Sequence, residues 1–389
     1  MARLFSLALI PVFLQACLAA PAPPYQVVES CNSFALALYS KLKKVDGNVF
    51  FSPFSIFLSM CMLYEGAGGA TAREFREVFK LPGDLREGVS SLTSNLSADL
   101  KIANAVWVQE GYPVLESYLE ALRKYYGGEA RSLNLAEDPE GSRRMVNGWI
   151  ADKTEGKIAD MLPPGSIGPW VKLLITNAIY FNSSWAVWFD EKLTRREPFW
   201  VKPGESVEVY MMVAQGCLKY ADVGVAELLE VPYASDFYML IVLPKGFNLE
   251  EVEELLPRRL NRWMSVTKYM EVVLYLPRFK ALSSYELGRA LMGMGLREAF
   301  KPTANFSKLT WRKGLRVDLI LHKAYVEVNE KGTEAASSTA IISPPMSAPS
   351  PAWSEPVTFR VDRPFIFMIV HKPTGLIAFM GRVERPSGR

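Results

Sequence analysis

Two histidines (His322, His371) and four cysteines (Cys17, Cys31, Cys61, Cys217) are all that 389 residues offer a soft or borderline metal, and no CxxC pair occurs among them. Ligands so scattered do not make a structural zinc site, and no metal or other cofactor is expected. A disulfide framework is excluded as well, because Cys17 falls in a leader-like segment and the other three are an odd number; one bridge at most is possible. An excess of either charge is also missing, with 44 Lys and Arg against 41 Asp and Glu for a net charge of +3. The densest basic group is Arg258, Arg259 and Arg262, so the basic stripe that nucleic acid demands is absent and no nucleic-acid partner is expected. Beyond the leader, no apolar run exceeds strand length, which argues against a transmembrane helix. There is no Gly-x-Ser-x-Gly elbow to go with the two imidazoles, so a serine hydrolase is a poor reading and the chain is not expected to be an enzyme.

What is present is apolar material for a large core: 49% of residues are hydrophobic and 22% charged. Arg3, the apolar stretch Leu4 to Leu14 and the small residues Ala16 to Ala20 read as a secretory signal peptide over about 1–19, which places the protein outside the cell. Leu14-Gln15-Ala16-Cys17 leaves open a lipid anchor at Cys17, and a buried first helix is the remaining alternative. Asn32 or Ser33 is positioned to cap a helix carrying Phe34, Leu38 and Leu42, and Leu115, Tyr118, Leu119 and Leu122 form a second stripe closed by Gly127. Strands are predicted at Leu173 to Phe181, Val207 to Val213, Phe237 to Leu243, Glu271 to Phe279, Val317 to Val328 and Pro364 to Val370. Helices come early and strands late, without strict alternation, so the fold class is α+β. No repeat or composition break divides the chain, and residues 20–389 are expected to form one domain.

One stretch, about 331–356, is anomalous. It opens with small residues after Gly332 and passes into the proline-rich run Ser343 to Pro351. A linker reading requires a domain on each side, and too few residues follow Pro356 to make one, so the stretch is a long loop within a single fold. Written as a strand, Thr333, Ala335, Ser337, Thr339, Ile341 and Ser343 share one face, all small or uncharged, while Glu334, the sole charge, falls on the other. Such a face fits the middle of a sheet. The segment reads as a strand not yet in its sheet.

Here the sequence resembles the serpin family, over nearly the whole of 20–389. Glu330, Lys331, Gly332, Thr333, Glu334, Ala335, Ala336, Ser337, Ser338 and Thr339 resemble the hinge of inhibitory serpins at every position. Collinear blocks support it: Asn48 to Ile56, Gly66 to Thr71, Asn177 to Phe181 with Trp185, Leu276 to Lys280, His322 to Val328, Arg363 to Phe367 and Phe379 to Gly381. The resemblance implies a serpin-type domain with mixed sheets, a helical N-terminal part and a long exposed reactive-centre loop. It assigns Ser52, Ser55, Asn177 and His322 to a polar cluster beneath the place where the main sheet opens, and Trp185 to the top of that opening. Counting from the hinge Glu330, the bond cleaved by the target is Met346-Ser347, and Pro345 is a poor residue before any cut. The implied function is suicide inhibition of a serine protease that prefers an apolar residue, whether chymotrypsin-like, elastase-like or subtilisin-like, by a monomer that forms a covalent acyl-enzyme. The loop beyond the bond departs from short-loop members by several extra residues. A non-inhibitory carrier, chaperone or storage protein is the alternative, although a hinge free of proline and of charge on its inward face favours inhibition.

Overall fold

The computed structural model describes residues 24–44, 47–96, 99–333 and 355–387. Among these residues lie eight α-helices, six of them before Thr154, followed by a chain that is mostly strand. The fold is the α+β arrangement expected of a serpin domain. No helix among the described residues is long and apolar enough to cross a membrane. The leader read at 1–19, Cys17 included, lies outside the described residues.

Two sheets carry the architecture. The larger follows the order Val49–Phe51, Leu376–Val383, Phe365–His371, Phe237–Pro244, Ala226–Pro232, Glu205–Asp222, Lys268–Pro277, Val357–Arg360, with Arg195–Lys202 also paired to Glu205–Asp222. The other runs Glu129–Leu133, Leu100–Gln109, Leu173–Phe181, Leu319–Asn329, Gly332–Thr333, Ser183–Ser184, with Phe279–Glu286 on the far side of Leu319–Asn329. Its two central members, Leu173–Phe181 and Leu319–Asn329, pair in parallel from Leu174↔Leu319 to Tyr180↔Tyr325, and are called the seam strands below.

Burial explains why the first seam strand reads as an apolar run broken only at Thr176 and Asn177. Leu173, Ile175, Ile179 and Phe181 face the main core, while Leu174 and Ala178 face a second core built with Val146, Ile150 and Leu162. A strand covered on both faces shows no alternation. The second seam strand alternates strictly, Ile320, His322, Ala324, Val326 and Val328 being buried. Helix Pro53–Gly66 packs over the sheet on the main-core side and is buried almost all round, as a helix without a polar face must be.

Two local expectations are corrected. The first helix spans Tyr25–Leu42, so neither Asn32 nor Ser33 caps it. Asn32 sits mid-helix, its amide donating to Gly375 O (2.8 Å) and accepting from Ile377 N–H (2.9 Å) in the hairpin of the last two strands; a tertiary partner has taken the side chain that a cap would use. The strand read as Glu271 to Phe279 is two elements, for the chain turns a corner at Arg278, leaving one sheet at Pro277 and entering the other at Phe279.

Candidate functional site

The seam strands part at their upper ends. Below, Tyr180 is opposite Tyr325. Above, the two-residue strand Gly332–Thr333 lies between the end of the second seam strand and Ser183–Ser184, which follows the first, antiparallel both to Val328–Asn329 and to Ser183–Ser184. The segment from Thr333, read as waiting outside its sheet, therefore has its first residue already inside it, together with Gly332. Gly332 is required there: its φ is +150°, and a Cβ would come 2.3 Å from Ser183 O.

The turn that reverses the chain is anchored from three directions. Trp185 Nε1 donates to Asn329 O (2.8 Å), and Trp185 N–H donates to Lys331 O (3.1 Å). Glu330 is buried, its Oε1 accepting from Arg278 Nε (2.8 Å), Arg278 Nη2 (2.6 Å) and the Thr194 hydroxyl (2.6 Å). Thr333 is fully buried and shares a 2.6 Å hydrogen bond with the Tyr233 hydroxyl. Burial pushes the Tyr233 phenol well up, so the group is neutral.

Beneath the fork lies a polar cluster. Asn177 and His322 are register partners across the seam, and His322 Nδ1 hydrogen-bonds Asn177 Oδ1. The other ring nitrogen, Nε2, accepts from Ser52 N–H (3.1 Å), which assigns the proton to Nδ1. Burial pushes the His322 imidazole down to about 3, so it is uncharged at neutral pH. Asn177 Nδ2 reaches Ser55 Oγ (2.7 Å) and Ser59 Oγ (2.9 Å), Ser55 Oγ donates to Asn104 Oδ1 (3.0 Å), and Ser52 Oγ donates to Ala378 O (2.7 Å) while capping helix Pro53–Gly66. The helix thus meets the seam through exchangeable hydrogen bonds, where interlocked apolar side chains would be expected in an ordinary sheet–helix contact.

Of the residues singled out in the sequence, Ser52, Ser55, Asn177 and His322 meet in this cluster, and Trp185, Glu330, Gly332 and Thr333 meet at the fork. Glu334, Ala335, Ala336, Ser337, Ser338 and Thr339, and the bond Met346-Ser347, lie outside the described residues. Arg278, Thr194 and Tyr233 at the fork, and Ser59 and Asn104 in the cluster, were not anticipated. Arg278 stands in one of the recognised blocks, but nothing in the chain marks its partner. The described cysteines Cys31, Cys61 and Cys217 are unpaired, the first two buried and the third exposed.

Comparison with known proteins agrees with this geometry. The family described as Serpin (serine protease inhibitor) matches residues 29–386. A serpin-like protein of Methanosarcina acetivorans is 37% identical over 376 residues, 93% of this chain and 87% of that one. Human Serpin B8 is 36% identical over 375 residues, 92% and 99% of the two chains. Among solved structures, human thyroxine-binding globulin superposes with a TM-score of 0.85 at 27% identity, covering 94% of this chain and all of its own. The chain belongs to the serpin family, whose members typically inhibit proteases.

Proposed function

We propose that the protein is a suicide inhibitor of serine proteases, with Met346-Ser347 as the bond attacked. The observation that carries this reading is the hinge strand: Gly332 and Thr333 occupy the mouth of a seam whose strands are paired directly below them. The target's serine attacks the Met346 carbonyl, the amine of Ser347 leaves, and an ester joins Met346 to the protease. Residues after Thr333 then enter the seam as an added strand, the means by which this family releases stored strain, and the attached protease is deformed before water cleaves the ester. About ten new backbone hydrogen bonds at about 0.5–1.5 kcal/mol each give on the order of 10 kcal/mol, comparable with the stability of a whole domain.

The polar cluster supports the same reading, because an entering strand must break the Asn177–His322 bond and a neutral pair is replaced at lower cost than an ion pair. Met346 suits the apolar primary pocket of chymotrypsin-like, elastase-like or subtilisin-like enzymes. The leader at 1–19 supports secretion, and the inhibitor acts as a monomer.

A carrier role is the second reading, favoured by the likeness to thyroxine-binding globulin. Incubation with subtilisin followed by denaturing electrophoresis separates the two. An inhibitor yields a heat- and detergent-resistant conjugate with the combined mass. Clean cutting of the loop with the protease left active overturns the inhibitory reading.

A further inference from the structure

We propose that the Tyr233 hydroxyl is a latch that keeps Thr333 seated in the sheet before any protease arrives, and that this seating shortens the delay before the rest of the loop follows. The second half of the statement rests on the inhibitory reading; the first does not.

Trp185, Arg278 and Thr194 hold the turn before the hinge strand, but the strand itself has little beyond its backbone pairing and Thr333 to keep it in place. It is two residues long, with two register pairs on each side, and a strand of that length is marginal. The backbone of its two-residue turn, Glu330-Lys331, does not by itself favour the hairpin, since neither residue has the positive φ that matches a tight hairpin to the twist of its strands. Turn chemistry alone therefore favours strands that splay apart. The contact of Thr333 with Tyr233 opposes this from within the sheet.

Tyr233 is built to hold its place. Its ring stacks on Trp185 at 4.3 Å and meets Phe181 edge-on at 4.9 Å, and its backbone N–H donates to Phe237 O (3.0 Å). The ring cannot follow the hinge if the hinge leaves, so the hydroxyl acts as a fixed point. Trp185 itself binds the turn at Asn329 and Lys331, so one aromatic pair holds both the turn and Thr333, the second residue past it. Tyr233 is thus a positioning residue, remote from the bond that reacts.

The test uses Tyr233→Phe, which keeps the stacked ring, and Thr333→Val, which keeps the shape of the partner. Hydrogen exchange at the Gly332 and Thr333 amides should quicken about fivefold in each single variant, and no further in the double variant, because either change removes the same bond. With subtilisin, the moles of inhibitor consumed per mole of protease blocked should rise by a similar factor while loop cleavage is no slower. Tyr118→Phe is the control, since it deletes a buried hydroxyl bonded to Met62 O (3.0 Å) away from the hinge, and it should change neither quantity. Unchanged exchange in Tyr233→Phe overturns the latch whether or not the protein inhibits. An equal effect from Tyr118→Phe also overturns it, by showing general loosening. Faster exchange in a protein that forms no conjugate in any variant supports the latch and overturns the inhibitory reading instead.

Discussion

His322 is the residue through which pH reaches the seam. Its imidazole is pushed from 6.5 down to about 3 by burial. Between those values the unfolded chain binds a proton that the folded protein refuses, so the stability His322 contributes is complete above about pH 6.5 and is lost as pH falls toward 3. His322→Gln should unfold with a shallower loss of stability between pH 6.5 and 4 than the parent, a difference on the order of a few kcal/mol at the acid end, read from urea midpoints at each pH. Thr333 gives a second prediction. Thr333→Arg would bury a charge where the partner is a phenol, at a cost of several kcal/mol, so the variant should be cut by subtilisin without forming a conjugate. Glu334→Arg is its matched control and should inhibit nearly as well as the parent, because alternation places it on the opposite face. Equal damage from both would sink the facial assignment. Met346→Arg should redirect inhibition to trypsin-like proteases, measured as conjugate formed with trypsin against subtilisin; unchanged preference would mean that the bond lies elsewhere. Glu330 and Thr333 were legible because each sits in a run whose pattern has a meaning. Their partners were not, since Thr194 is 136 and Tyr233 100 positions away and contacts at such separation leave no spacing to read.

At the scale of elements, the hinge hairpin depends on one glycine. Gly332→Ala places a methyl against Ser183 O at an unfavourable φ, which should unseat the Gly332–Thr333 strand at a cost of about 1–3 kcal/mol, detected as faster amide exchange across 328–333 and new susceptibility of the segment to proteolysis. Exchange and cleavage like the parent's would show that the strand tolerates a side chain there. Strands that are largely aliphatic and aromatic, such as Leu173–Phe181 and Phe237–Pro244, were legible nearly to the residue. Ala226–Pro232 was not, because Ala-Glu-Leu-Leu-Glu has helical composition and its strand state comes from neighbours on both sides, Glu205–Asp222 and Phe237–Pro244. Leu100–Gln109 escaped notice for a related reason: burial along most of its length removes alternation, and Ala103, Asn104 and Ala105 are weak strand formers. The corner at Arg278 was invisible because local sequence does not say when a strand changes sheets. It is this corner that carries the Arg278 guanidinium to Glu330.

For the molecule as a whole, the intact fold is expected to be less stable than its cleaved product. Protein cut at Met346-Ser347 should melt well above the intact form in calorimetry, and equal melting temperatures would remove strand insertion from consideration. The fold class was legible at this scale because helical patterns come early and strand-like runs late, whereas the order of strands in each sheet was not. That order matters through one feature, the antiparallel seating of Thr333 between Val328 and Ser183. Continued downward in the same register, the segment would bring Ile342 level with Leu319 and Ser343 level with Leu173, the first residues of the two seam strands. The stretch from Thr333 to Ser343 is therefore as long as the slot is deep. Pro344 and Pro345, which have no N–H to offer a neighbouring strand, begin where the neighbours end. Met346 would come to rest just beyond the foot of the sheet, about 40 Å from Thr333 at the rise of an extended chain, and whatever is bonded to it would be delivered to the opposite pole of the molecule.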